Sequence, residues 1–70
     1  MKRFGEKLRI LRKRQGLTVR ELGNMIDVHY TYISKIEIGK TGPSPSAILK
    51  LADVFEVTAD ALMRDELEIE

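Results

Sequence analysis

The sequence predicts an all-α fold, five short helices in one compact domain, and three observations carry that prediction. Apolar residues recur at helical spacing along most of the 70-residue chain. Glycines and capping patterns led by Ser or Thr cut that spacing into short runs. No run reads as a strand able to build a sheet, and there is no internal repeat or low-complexity linker.

The first run spans Phe4 to Gln15, with Phe4, Leu8 and Leu11 on one face, Ile10 beside them, and Lys7, Arg9, Arg12, Lys13 and Arg14 on the others. Gly16 ends it, since glycine takes the left-handed conformation at little cost. Thr18 followed by Glu21 is a capping box, so a second helix starts there with Val19, Leu22, Met25 and Ile26 as its apolar stripe. A third helical stretch covers Val28 to Ile38, with Ile33 and Ile36 inward and Gly39 as its stop. The gap between the second and third helices is about three residues, which predicts a steep crossing of the helix-turn-helix kind. Ser44 then offers an N-cap and Pro45 the fixed φ suited to a first helical position, opening a fourth helix with Ile48, Leu49, Leu51, Ala52 and Phe55. Thr58 caps a short fifth helix carrying Ala61, Leu62 and Met63. The chain divides into a domain over residues 1–64 and an acidic tail over 65–70.

Composition narrows the function. With 43% hydrophobic and 33% charged residues the chain has enough apolar material for a small core, and disorder is not the default. A chain of this length buries only about 60% of its unfolded surface and leaves little room for a deep enzyme cleft. Cysteine is absent, so disulfides and thiolate metal sites are excluded, and the single histidine, His29, makes no metal site. There is no Gly-rich phosphate loop and no carboxylate pair placed for catalysis. We therefore expect no enzyme, no cofactor and no metal. No apolar run approaches the roughly 20 residues that span a bilayer, and the N-terminus lacks the apolar region of a secretory signal, so the expected location is the cytoplasm, away from any membrane.

The net charge of +1 conceals two opposed halves. Residues 1–40 hold ten Lys or Arg against four Asp or Glu, a balance of +6, and residues 41–70 hold two against seven, a balance of −5. That asymmetry predicts a basic face turned toward a polyanion, formed within residues 1–41, and an acidic end over 57–70 turned away from it.

The spaced pattern Leu17-Thr18-x-x-Glu21-Leu22-Gly23, then Val28-x-x-x-Tyr32-Ile33-Ser34-Lys35-Ile36-Glu37-x-Gly39-Lys40, then Pro43-Ser44 and Leu49-x-Leu51-Ala52, resembles the lambda repressor and Cro-like helix-turn-helix family, the XRE family of transcription regulators. The resemblance covers roughly residues 4–63. It implies a five-helix DNA-binding domain, usually dimeric, with the third helix, about residues 29–38, in the major groove of double-stranded DNA.

The residues themselves agree with that placement. A helix entering the major groove must bury one stripe and offer the opposite one to base edges. With Ile33 and Ile36 inward, the outward positions are Tyr30, Thr31, Ser34 and Lys35, and these match the family's base-reading positions. Lys35 could donate to guanine O6 and N7, Thr31 could touch a thymine methyl or hydrogen-bond a base, and Tyr30 could do either. Candidate phosphate or positioning contacts are Thr18 and Arg20 at the start of the second helix, Lys40 and Thr41 after the third, and Arg12 through a spare guanidinium N–H. Tyr32 either directs its hydroxyl to phosphate or packs against the second helix. His29 caps through a ring nitrogen, touches phosphate when protonated, or is simply exposed.

The resemblance also pairs Arg12 with Glu37, linking the first helix to the end of the recognition helix. Three residues depart from the family. Asp27 replaces a turn glycine, tolerable because Asp visits positive φ at modest cost. Gly23 replaces the usual alanine facing the third helix, and Val19 stands where many members carry a DNA-touching glutamine. Val57, Leu62, Met63, Leu67 and Ile69 give the C-terminal residues more apolar surface than a short helix needs, marking a candidate dimer contact that the acidic tail would border. The expected function is sequence-specific transcription regulation, as a repressor-type dimer on a (pseudo)palindromic operator. The rival is an interaction module whose partner is a protein, a toxin or a transcription component, since fold alone does not settle function.

Overall fold

The computed structural model describes residues 2–69 and places five helices in order: α1 Phe4–Arg14, α2 Val19–Met25, α3 Tyr30–Glu37, α4 Pro45–Phe55 and α5 Ala59–Met63. Among the described residues there is no strand. Local chemistry sets most of the boundaries. Thr18 Oγ1 accepts from the Glu21 amide at 3.0 Å while Glu21 Oε1 accepts from the Thr18 amide at 2.9 Å, closing the expected capping box at the start of α2. Ser44 Oγ accepts from the Ala47 amide at 3.1 Å and Thr58 Oγ1 from the Ala61 amide at 3.0 Å, so α4 and α5 begin where their caps predict. Gly16 and Gly39 take the left-handed conformation, at φ 68° and 80°.

One core joins all five helices. Phe4, Leu8 and Leu11 of α1 meet Leu22 and Ile26, then Ile33 and Ile36 of α3, Ile48, Leu51, Ala52 and Phe55 of α4, and Leu62 of α5. Burying a side chain of this size stabilises by about 1.5–3 kcal/mol, and with no covalent staple among the residues this cluster must carry the fold.

Three apolar expectations are corrected. Met25 is 53% exposed, because α2 is only seven residues long and its inward stripe is narrower than the four apolar positions read from spacing. The third helix starts at Tyr30 and ends at Glu37, two residues in from Val28 and one short of Ile38; His29 is its N-cap, and Ile38, its C-cap, is 68% exposed. Leu62 is fully buried, so it serves the chain's own core and offers nothing to a second copy. Val57, Met63 and Ile69 are half-buried against the same core, and Leu67 is exposed.

The C-terminal segment folds back over the start of α1. The Asp65 carboxylate accepts from the amides of Lys2 at 3.0 Å and Arg3 at 2.9 Å, groups at the helix start with no partner inside the helix. Those bonds, with the amide of Arg3 foremost, hold the Asp65 carboxyl below the usual carboxylate range. Arg3 donates to both oxygens of Glu68, at 2.9 and 3.2 Å. Beneath this strap Lys7 is fully buried and its Nζ donates to the carbonyls of Ala61 and Arg64, both at 2.7 Å, at the C-terminal end of α5. Residues 65–69 are tied into the folded unit rather than appended to it. No helix among the described residues is long and apolar enough to cross a membrane.

Candidate nucleic-acid interface

The α2–turn–α3 unit depends on two backbone features. At Asp27 the chain turns through φ 61°, the left-handed region that the sequence requires of this residue in place of glycine. At Gly23, on the buried face of α2, a Cβ would sit 2.8 Å from the Val28 carbonyl oxygen and 3.3 Å from Tyr30 Cα. The absence of a side chain lets the start of α3 lie directly against α2, and it is the backbone of the turn, rather than a side chain on α3, that fills the space.

α3 then presents two faces. Ile33 and Ile36 are buried, Thr31 and Lys35 are exposed, and Tyr30 and Ser34 are half-buried at the edge of the outward stripe. The four candidate base-reading residues therefore share one side of an eight-residue helix. His29 caps this helix. Its Nδ1 accepts from the Thr31 amide at 3.2 Å and lies 2.9 Å from Thr31 Oγ1. The imidazole stacks on Tyr30 with ring centroids 4.6 Å apart, and the Arg20 guanidinium carbon sits 4.1 Å from the centre of the Tyr30 ring. Arg20 thus enters the interface as a cation resting on an aromatic face, worth about 0.5–1 kcal/mol at an exposed site. Tyr30 is restrained by both contacts.

Tyr32 makes one contact that the sequence did not announce. Its hydroxyl accepts from the Ser44 amide at 2.8 Å, tying α3 to the start of α4, while its ring packs against the core. The hydroxyl hydrogen is not used in that bond, which leaves it for another acceptor. Lys40 and Thr41 follow α3 in a loop held by their own amides, both of which donate to the Lys35 carbonyl, at 2.9 and 3.4 Å. Beside that loop a cleft of about 290 Å³ is lined by Lys40, Thr41 and Lys2, so a lysine from the N-terminus joins the cations after α3. Lys2 was not singled out by the sequence, because nothing local connects it to residues some forty positions away.

The expected Arg12 and Glu37 pair is present in a two-pronged form. Arg12 Nε donates to Glu37 Oε2 at 2.7 Å and Nη2 to Oε1 at 3.0 Å, with side chains only 13% and 6% exposed. Nη1 donates to the Leu17 carbonyl at 2.8 Å, so a single guanidinium binds the end of α1, the entry to α2 and the end of α3. The hydrogen bond to Glu37 raises the Arg12 pKa above its already high ordinary value. The five guanidinium N–H groups leave two beyond these three bonds.

The basic half is less free than its charge count implied. Arg3, Lys7 and Arg12 are engaged with carboxylates or carbonyls of the protein itself. Arg20, Lys35, Lys40 and Lys2 are among the cations that border the α2–α3 surface. Among the described residues no group of three or more metal-ligating acidic, histidine or cysteine side chains comes together.

Comparison with known proteins points the same way. The family model described as helix-turn-helix matches residues 8–62. The HTH-type transcriptional repressor RghR of Bacillus subtilis (strain 168) is 44% identical over 64 residues, covering 90% of this chain and 47% of that protein. The chain spans about half the length of the curated relatives it matches. Among solved structures, the P22 c2 repressor protein in complex with a synthetic operator is similar at a TM-score of 0.85 and 28% identity, covering 90% of this chain and 96% of that one. The N-terminal DNA binding domain of SinR from Bacillus subtilis is similar at 0.86 and 26% identity, covering 97% and 100%.

Proposed function

The chain belongs to the helix-turn-helix family, and from that premise we propose that it is a sequence-specific DNA-binding transcription regulator that docks α3 in the major groove. One observation carries the reading. α3 buries Ile33 and Ile36 and turns Thr31 and Lys35 outward, while its N-cap, the Tyr32 to Ser44 bond and the Arg12 to Glu37 fork fix its orientation. Tyr30, Thr31, Ser34 and Lys35 read base edges; Thr18, Arg20, His29, Tyr32, Lys40, Thr41 and the spare N–H groups of Arg12 meet phosphates and position the domain without reading sequence.

The known operator complex of the P22 c2 repressor supports double-stranded DNA as the ligand. A repressor role follows the name of the RghR relative, and the cytoplasm is the compartment proposed for it. Two copies would bind a (pseudo)palindromic operator with half-sites roughly one helical turn, about 34 Å, apart, meeting through Val57, Met63, Leu67 and Ile69 without Leu62.

Fluorescence anisotropy with a mixed operator library at several salt concentrations tests the central claim. With about six phosphate contacts, log K falls against log salt with a slope near −5. A slope near zero, or no binding at low salt, sinks it. Sedimentation of the complex that finds one copy per operator removes the dimer.

A further inference from the structure

The side chain that caps the recognition helix also acts on a residue of its outward stripe. The Thr31 amide belongs to the first turn of α3, where no carbonyl lies one turn back, so it needs an acceptor from outside the helix. His29 Nδ1, 3.2 Å away, is that acceptor, which requires a lone pair on Nδ1 and places the ring hydrogen on Nε2. Thr31 Oγ1 lies 2.9 Å from the same nitrogen. With no hydrogen on Nδ1, this contact closes only if the hydroxyl donates, sharing the one Nδ1 lone pair with the amide. A threonine hydroxyl has one hydrogen and two lone pairs, so its single hydrogen is committed to the imidazole. What Thr31 retains for a ligand is lone pairs and a methyl group.

We propose that His29 sets Thr31 as an acceptor-only reader, so that the base edge it selects is an amino group, adenine N6 or cytosine N4, in preference to guanine. The inference rests on the reading that α3 enters the major groove. There adenine and cytosine display amino donors, whereas guanine displays only the acceptors N7 and O6. An unrestrained threonine turns its hydrogen toward whichever edge it meets and discriminates little. One whose hydrogen is held by His29 faces guanine lone pair to lone pair. The ring is kept in place by its stack on Tyr30, which lies in turn beneath Arg20. His29 is thus a positioning residue for specificity, acting through Thr31.

Selection of bound oligonucleotides from a randomised operator library, by the wild type and by Thr31→Ala, locates the position under Thr31 as the one whose preference relaxes. At that position the wild type should favour adenine or cytosine over guanine by about fivefold, the scale of one neutral hydrogen bond. His29→Gly keeps a residue tolerated at an N-cap but removes the acceptor, and should bring that ratio below about twofold while the preferences under Ser34 and Lys35, which the imidazole does not touch, persist. A second measurement does not depend on any variant folding: nitrogen-15 shifts of the His29 ring in the wild-type complex should report Nδ1 without hydrogen and Nε2 with one. Guanine preferred under Thr31, an undiminished ratio in His29→Gly, or a protonated Nδ1 in the complex overturns the proposal. If Thr31→Ala relaxes no position while the wild type still selects a sequence, this inference fails and the DNA reading stands. No selection by the wild type at all removes the DNA reading and this inference with it.

Discussion

Two arginine–glutamate forks sit at opposite ends of α1. At its last turn Arg12 grips both oxygens of Glu37 and the Leu17 carbonyl; at its start Arg3 grips both oxygens of Glu68 and the Asp65 carbonyl. Arg12 grips its carboxylate through Nε and Nη2 and Arg3 through Nη1 and Nη2, at similar distances. Burial separates them: the side chains of the first pair are 13% and 6% exposed, those of the second 29% and 72%. The buried fork fixes the angle of α3, since neither partner has water to fall back on. The exposed fork fastens a strap that solvent, salt or protons can compete for. The same pair of residue types therefore yields a rigid joint on the α3 side of the molecule and a releasable one on the other.

The largest effects should follow from breaking the buried fork. Glu37→Ala leaves a nearly buried guanidinium without its carboxylate, and we expect a loss of about 2–4 kcal/mol in urea unfolding. Glu68→Ala should shift the midpoint far less; equal losses would break the comparison. Glu37→Gln keeps one acceptor oxygen but loses the charge. It should weaken DNA binding even though it removes a negative charge from a DNA-facing domain, and unchanged or tighter binding would count against a registering role for the pair.

Next in size is the contact that allows α1 to reach α3. A Cβ on Gly5 would collide with the Ile36 carbonyl oxygen and stand 2.9 Å from that of Glu37, so Gly5→Ala must push the start of α1 off the end of α3. Overpacking against backbone costs about 1–3 kcal/mol. Gly42, where a Cβ meets nothing within 4 Å, supplies the control, and Gly42→Ala should unfold close to the wild-type temperature.

How far these features were legible from sequence depends on how far apart their partners lie. Thr18, Ser44 and Thr58 announced the starts of α2, α4 and α5 because a cap bonds to residues two or three positions away. Gly16 and Gly39 announced ends for the same reason. The end of α4 was not announced: Glu56 takes the left-handed conformation at φ 54°, and nothing in its residue type marks it. Arg12 and Glu37 came from a family resemblance rather than from spacing, since 25 positions separate them. Lys7 was read as one of the outward cations of α1, yet its partners lie 54 and 57 positions away, beyond the reach of any periodicity. Met25 fits a helical stripe on paper, but with only seven residues α2 buries a narrower face than the pattern allows. In the candidate interface, the outward stripe of α3 was legible because the inward isoleucines define it. The coupling of His29 to Thr31 was not, because a cap says where a helix starts and not which rotamer its neighbour keeps.

A third prediction compares the strap with what lies under it. Lys7→Met preserves the volume of a fully buried side chain but leaves the Ala61 and Arg64 carbonyls without their donor, and should cost about 1–2 kcal/mol. Amide hydrogen exchange should then rise in α5 and the tail while α2 and α3 remain protected. A uniform rise would mean that the strap and the α2–α3 unit unfold together, and the distinction between a rigid and a releasable side would fail.

The smallest effect, and the one most particular to the releasable side, concerns pH. Asp65 is held below the usual carboxylate range, foremost by the Arg3 amide and then by that of Lys2, and Glu68 is lowered by its hydrogen bond to Arg3. A carboxyl whose folded-state pKa lies below its unfolded value contributes stability in full above the unfolded value, about 3.9 for Asp and 4.3 for Glu, and loses it as pH falls through the folded value. The double variant Asp65→Asn with Glu68→Gln should therefore be less stable than the wild type near pH 7, and the difference should hold down to about pH 5. It should then narrow toward pH 3, where the wild-type carboxyls become neutral as well. Raising salt at pH 7 should narrow the same difference while leaving that of Glu37→Ala almost unchanged, because mobile ions reach the exposed fork and not the buried one. A gap between wild type and double variant that widened toward acid would mean that these carboxyls repel their surroundings in the folded state, the opposite sign to the one their amide and arginine partners dictate.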